Sequence, residues 1–314
     1  MAGRKVALPA QVTRVASDYP AVAQIVFMLG AGGKLVGDNA DTAPAGSLFA
    51  TVDPAMRGVP SPFSADTSHV NVEQLAAARP QLVFLSPGAS VIIPQLRKLG
   101  IPAVVISAFS GPSSLKAGVS LIGSILGGPA PAKAREYASF YDRAVAKATA
   151  ATRWVPASER PGVLYNAGSP TITEGKGSIV TAWITEGGGV NVAAEHGVTG
   201  VLKSVDLEDA VSWNPDYIVC RDPVTRSQVL SDPRWKTVTA VRSRHVLIDP
   251  QGVFVWAVRS AEAALQPLWT AEMLYPRRVS AAEVRQQTSA FYQEFYSYTL
   301  SDAQLDKLLG PPLS

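Results

Sequence analysis

The sequence is poor in the residues that hold metals and clusters. Its 314 residues contain one cysteine, Cys220, and three histidines, His69, His196 and His245. One cysteine excludes an internal disulfide and a cysteine-held iron–sulfur cluster. So few thiols and imidazoles argue against an all-protein zinc cage, and neither a metal site nor a cofactor is expected. Cys220 closes an apolar run and reads as a small buried hydrophobe. Long apolar runs are also missing, none approaching the roughly 18 residues of a membrane span. With 28 basic and 25 acidic residues the net charge is only +3, and no basic block is interleaved with aromatics. Nucleic acid is therefore not an expected partner.

Catalytic motifs are absent or incomplete. No G-x-S-x-G occurs, which weighs against a standard serine hydrolase. Ser113-x-x-Lys116 lacks the S-D-N and K-T-G that accompany S-x-x-K in penicillin-recognising enzymes. Gly30-Ala31-Gly32-Gly33 closes a helix, whereas a dinucleotide loop opens one. Gly175-Lys176-Gly177-Ser178 lacks the spacing of a phosphate loop and reads as a glycine turn before a helix. No close carboxylate pair sits beside a histidine; Glu186 and Glu195 flank glycine-rich turns and read as solvated. A non-catalytic binding protein is favoured over an enzyme.

What is present is a long-range repeat. Residues 71–85 (NVEQLAAARPQLVFL) and 206–220 (DLEDAVSWNPDYIVC) align at a constant offset of 135, with Glu73 on Glu208 and Pro80 on Pro215. Each copy reads as a helix, a proline turn and a buried strand. Asn71 and Asp206 suit an N-cap, and the glutamate two residues on sits in the positive first turn. Proline ends the helix, and the apolar run after it suits a strand covered on both faces. The apolar content of 47% can build a large core.

Strands and helices alternate in both halves, which predicts two α/β lobes with mostly parallel sheets. An edge strand or arm is expected over 5–10, strands over 12–17, 34–37, 102–106, 162–165 and 244–248, and helices over 21–31, 89–99, 113–126, 178–187 and 260–274. Residues 38–68 read as mostly loop with short helical pieces. From Pro131 to Arg153 one Ala-rich pattern without Gly or Pro predicts a single helix roughly 30 Å long, a rigid connector. The expected division is an N-terminal lobe (1–128), the connecting helix (129–154) and a C-terminal lobe (155–314). Helical patterns over 280–296 and 301–309 end the chain.

In open α/β sheets ligands sit beyond the carboxyl ends of the strands. There the chain places Tyr19-Pro20, Ser86-Pro87-Gly88, Tyr165-Asn166 and Arg221, and the loop after the last strand adds Phe254, Trp256 and Arg259. Aromatic rings with two guanidinium groups suit a flat or bulky anionic ligand.

In order along the chain, several stretches resemble the periplasmic solute-binding proteins that feed ABC importers of iron-siderophores, haem, cobalamin and related metal complexes. They are the opening Met1-Ala2-Gly3-Arg4-Lys5-Val6 with Leu8-Pro9, RVASDYPAVAQIVFMLGAGGKLVG (14–37), NVEQLAAARPQLVF (71–84), LRKLGIPAVVI (96–106), TEGKGSIV (173–180), WITEGGGVNVA (183–193), WNPDYIV (213–219) and HVLIDP (245–250). The resemblance implies two Rossmann-like lobes joined by one long backbone helix, a shallow cleft between them, and little closure on binding. It implies a monomer outside the cytoplasmic membrane, periplasmic or lipid-anchored, with its leader removed. It also implies that Glu73 and Glu208 dock with arginines of an ABC permease of the inner membrane. The expected ligand is a metal complex, with a molybdate- or tungstate-type oxyanion as the alternative. In haem binders of the family the 86–88 loop supplies a tyrosine ligand, which is missing here. A nitrogenase-like enzyme on the same scaffold needs several cysteines, and this chain has one.

Overall fold

The computed structural model describes residues 5–106 and 109–310. The opening residues Met1–Arg4, part of the resemblance, lie outside it.

In the first half, β1 (Val15–Ser17), β2 (Leu35–Gly37), β3 (Leu82–Leu85) and β4 (Ala103–Val105) form a parallel sheet in the order β2-β1-β3-β4. In the second half the strands are β5 (Gly162–Asn166), β6 (Ile172–Thr173), β7 (Val190–Asn191), β8 (Lys203–Ser204), β9 (Tyr217–Cys220) and β10 (Val246–Ile248). Four of them form a second parallel sheet, β10-β9-β5-β7, while β6 and β8 make a small antiparallel ladder. Ranked along the chain within each sheet, the two orders are the same, second-first-third-fourth. The halves therefore share one topology, and the repeat supplies the third strand of each.

The repeat holds at the level of backbone geometry. The helices Val72–Ala78 and Leu207–Ser212 precede β3 and β9. Each ends on a left-handed residue immediately before its proline, Arg79 at φ 46° and Asn214 at φ 44°. A proline disfavours the α region in the residue before it, so the chain turns there. Asn71 caps its helix through its side chain, which accepts from Gln74 N–H at 3.0 Å, whereas the Asp206 side chain makes no cap bond.

Both sheets are covered on both faces, which explains their near-continuous apolar strands. In β3, Leu82 and Phe84 join the large central core while Val83 and Leu85 pack with Leu75 and Leu96. In β9, Val219 faces the central core while Ile218 and Cys220 pack with Ala210 and Trp235. Burial pushes the Cys220 thiol up to about 12, so it is an unreactive hydrophobe at neutral pH.

The connecting helix is unbroken over Ala130–Thr152, 23 residues and about 35 Å. Ala134, Tyr137, Tyr141, Ala144 and Ala148 recur on its buried face at helical spacing. The C-terminal helix Ala281–Tyr296 lies against it: Phe291 and Phe295 meet Phe140 with ring centroids 5.3 and 5.6 Å apart, and Tyr296 stacks on Phe27 of the first half at 5.4 Å. The end of the chain thus packs back onto elements of the first lobe.

Of the two forms expected over 5–10, the structure has the exposed arm. Other local expectations needed correction. The helix expected over 21–31 is regular only over Pro20–Val26, then widens into a π turn (Phe27–Ala31) whose Gly30 sits at φ 74°. The stretches 89–99 and 260–274 each begin with a 3₁₀ turn. The two-residue strands β6, β7 and β8 add to the expected set, being too short to show a period. Glu186 is half-buried rather than solvated, and burial raises its carboxyl to about 7. Among the described residues no helix is long and apolar enough to cross a membrane, and no group of three His, Cys, Asp or Glu is arranged to hold a metal ion.

Candidate functional site

The carboxyl ends of both sheets converge on a cavity of ≈710 Å³. From the first lobe come Tyr19 and Pro20 after β1 and Ser86, Pro87 and Gly88 after β3; from the second come Arg221 after β9 and Phe254 and Arg259 after β10. Eight of the eleven ligand-site residues read from the sequence meet there.

Tyr165, Asn166 and Trp256 do not. Tyr165 and Asn166 end the central strand β5 and have no exposed surface, nor has Trp256. The Tyr165 ring stands edge-on to Trp183 at 6.1 Å. A strand covered on both faces points its side chains into packed layers, so these two lie behind the cavity wall. The cavity also takes in residues to which the sequence assigned no role, among them Asp41, Thr42, Ser47, Thr67, Leu202 and Gln251. Their common signal was only a Gly/Pro/Ser-rich composition, which marks a loop without saying where it goes.

Buried carboxylates hold the wall in place. Asp18, at the end of β1, accepts hydrogen bonds from the Ser86 backbone N–H (2.6 Å) and hydroxyl (2.7 Å), tying the 86–88 loop to the first strand. Burial raises its carboxyl to about 6, against the lowering effect of the Ser86 donors. Glu262 does the same for the loop after β10. It has no exposed surface and accepts from the backbone N–H of Val253 (3.1 Å) and Phe254 (2.9 Å), from the Gln24 amide (3.0 Å) and from the Tyr292 hydroxyl. This one carboxylate joins the first-lobe helix, the C-terminal helix and the cavity loop. Gly252 lies hard against it: an added Cβ would sit 2.2 Å from Glu262 Oε1. Asp249, just after β10, accepts from Ala257 N–H (3.0 Å) and the Gln266 amide (2.8 Å).

The charged groups lining the cavity are two arginines, Arg221 and Arg259, and one carboxylate, the exposed Asp41. Arg221 is exposed and makes no ion pair among the described residues. Arg259 has a side chain 15% exposed, and its Nη1 lies 3.3 Å from Oε1 of Glu174, whose side chain has no exposed surface. Burial raises the pKa of the Tyr19 hydroxyl, and the Arg259 guanidinium lowers it in part. Arg259 adopts φ 42°, a left-handed conformation that costs a non-glycine residue of order 1 kcal/mol and is found where the surroundings fix it. Two guanidinium groups, a phenol, a serine loop and the Phe254 ring can bind an anion, but they form no acid–base or nucleophilic constellation.

Two matching lobes, one long helix and a cleft between the sheet ends are the frame of a ligand-capture protein. The chain matches the periplasmic binding protein family over residues 15–252 and belongs to that family. It is 28% identical over 316 residues to the molybdate-binding protein MolA of Haemophilus influenzae, covering 93% of this chain and 86% of that protein. The structure of MolA bound to molybdate superposes with a TM-score of 0.84 and 26% identity, covering 95% of this chain and 97% of that one. A periplasmic solute-binding protein of Veillonella parvula gives a TM-score of 0.81 at 25% identity, covering 98% and 94%. A cobalamin-binding protein of Halobacterium salinarum is 29% identical over 218 residues, 68% of this chain and 55% of that protein. These relatives are transport proteins rather than enzymes.

Proposed function

We propose that this protein is the substrate-binding component of an ABC importer, acting outside the cytoplasmic membrane, and that its cleft captures a tetrahedral oxyanion of the molybdate or tungstate type. The observation that carries this reading is the pair Arg221 and Arg259 facing the cavity beside the Tyr19 hydroxyl. Fixed guanidinium donors suit an oxyanion through charge-assisted hydrogen bonds. The likeness to MolA over nearly the whole chain supports the same ligand class.

The cavity volume favours a second reading. At ≈710 Å³ it exceeds what a bare oxyanion fills, and the rings of Tyr19 and Phe254 offer stacking surface. A metal chelate of the iron-siderophore, haem or cobalamin kind suits that space, in line with the partial likeness to a cobalamin-binding protein.

Calorimetry with molybdate, tungstate and sulfate, run beside cyanocobalamin, haem and a ferric siderophore, separates the two. A ligand at 100 times its dissociation constant also adds about 2.7 kcal/mol of stability, readable as a thermal shift. The oxyanion reading expects molybdate or tungstate heat that Arg259→Ala abolishes. Heat from a chelate alone moves the assignment to the second reading. A response that survives both Arg221→Ala and Arg259→Ala rules out this cleft.

Delivery runs through Glu73 and Glu208. Both are exposed in the first turn of equivalent helices. Each helix runs back along the strand that follows it, so its N-terminus lies toward the cleft end of its sheet. Glu208 meets Arg234 at 3.4 Å in an exposed pair, which solvent screens and which leaves it open to exchange for a permease arginine. Glu73→Lys with Glu208→Lys abolishes uptake and leaves ligand affinity unchanged; unimpaired uptake refutes the docking role.

A further inference from the structure

We propose that capture of the anion is coupled to uptake of one proton by Glu174. The proposal rests on the oxyanion reading above. It starts from the unequal treatment of the two oxygens of a fully buried carboxylate. Oε1 has Arg259 Nη1 at 3.3 Å, long for a charge-assisted bond, while Oε2 has no hydrogen-bond partner among the described residues. A buried carboxylate half-satisfied in this way is costly to keep ionised.

Arg259 stands between two claims on its charge, Glu174 behind it and the cavity in front. The ionisable groups that face Glu174 are Arg259 and Arg221, which stabilise its ionised form, and the phenols of Tyr19 and Tyr165. Asn191 reaches only its backbone carbonyl, at 2.9 Å. In the free protein the two guanidinium groups are what oppose the desolvation of Glu174. An oxyanion arriving on those same groups cancels that support and sets negative charge beside a buried carboxylate. A guanidinium cannot give up its proton, so the carboxylate is the group that responds. One proton from solvent settles on Oε2, Arg259 turns its N–H groups to the ligand, and no bond within the ligand changes. Burial already raises the Glu174 carboxyl above its ordinary range, in the direction that proton uptake requires.

Linkage then makes the affinity pH-dependent. It weakens by up to tenfold per pH unit across the window in which Glu174 is ionised in the free protein and protonated in the complex. The test is calorimetric titration of the full chain with molybdate at about pH 7.5 in Tris, HEPES and PIPES, whose ionisation enthalpies differ. Molybdate is fully deprotonated there and takes no proton itself. The wild type is expected to take up about one proton per molybdate, and Glu174→Gln none, with an affinity that stays flat as pH rises. Molybdate binding without buffer-dependent heat overturns the proposal, as does undiminished proton uptake by Glu174→Gln. If Glu174→Gln does not fold, infrared difference spectra of the wild type on adding molybdate replace it. A new protonated-carboxyl band, shifted in Glu174→Asp, supports the proposal, and its absence overturns it. No heat with molybdate, tungstate or sulfate in the wild type refutes the oxyanion reading itself, and this proposal falls with it.

Discussion

Replacing Glu272 by glutamine stabilises the protein at pH 8 and does so far less at pH 5. Glu272 lies in the helix Gln266–Leu274, is 5% exposed, and has no hydrogen-bond or ion-pair partner among the described residues. Burial alone raises its carboxyl from 4.5 to about 7. An acid whose pKa is raised on folding contributes stability below its unfolded pKa, which is lost as pH rises through the folded value. Here the window runs from pH 4.5 to about 7. Raising a carboxyl's pKa by one costs its ionised form about 1.4 kcal/mol, so the ceiling for Glu272 is roughly 3 kcal/mol. Glu272 lines a second cavity of ≈840 Å³ between β10 and the C-terminal helices, where water relieves part of that cost, so about 1–3 kcal/mol is expected. For a chain of this size that is a rise in Tm of about 2–6 °C. Thermal unfolding of both proteins at pH 5 and pH 8, followed by circular dichroism, reads the difference. A variant that melts lower at pH 8, or gains equally at both pH values, refutes the burial argument.

Three other perturbations probe the rest of the frame. Gly252→Ala drives the Glu262 carboxylate off the Val253 and Phe254 amides and is expected to cost about 2–4 kcal/mol. It also weakens ligand binding, since the same loop lines the cavity; an unchanged denaturant midpoint counts against it. Phe291→Ala opens a hole between the C-terminal helix and Phe140 and is expected to cost about 3–5 kcal/mol; a loss under about 1 kcal/mol would mean that the helix is not a structural brace. Small-angle scattering with and without ligand is expected to show little closure, because an unbroken helix and the Phe27–Tyr296 stack both tie the lobes; a swing of tens of degrees contradicts this.

Legibility followed the range of the forces involved. The duplicated helix–proline–strand unit is a local device, and its caps, left-handed exits and buried strands all lie within fifteen residues. The connecting helix was equally plain, from alanine content and a period of 3.6. The strand-end rule brought most of the cleft into view, because parallel strands deliver their carboxyl ends to one edge. It also promised Tyr165 and Trp256 to the ligand, since no local pattern separates a side chain on the cleft wall from one packed a layer behind it. The stretch 38–68 was visible as loop with short helical pieces, which Leu48–Val52 and Pro54–Gly58 supply, but its place in the cavity wall was not, and the helix Ala281–Tyr296 was visible without a partner.

The amino-acid sequence by itself determined the alternation of strand and helix and the two-fold repetition. Those properties depend on residues a few positions apart, whose periodicity and backbone preferences act before any fold exists. The tertiary structure alone decided which groups share a carboxylate. Glu174 meets Arg259 across 85 positions of chain and Gln24 meets Glu262 across 238. Such pairs arise when packing brings distant segments together and desolvates them, and burial then sets their charge.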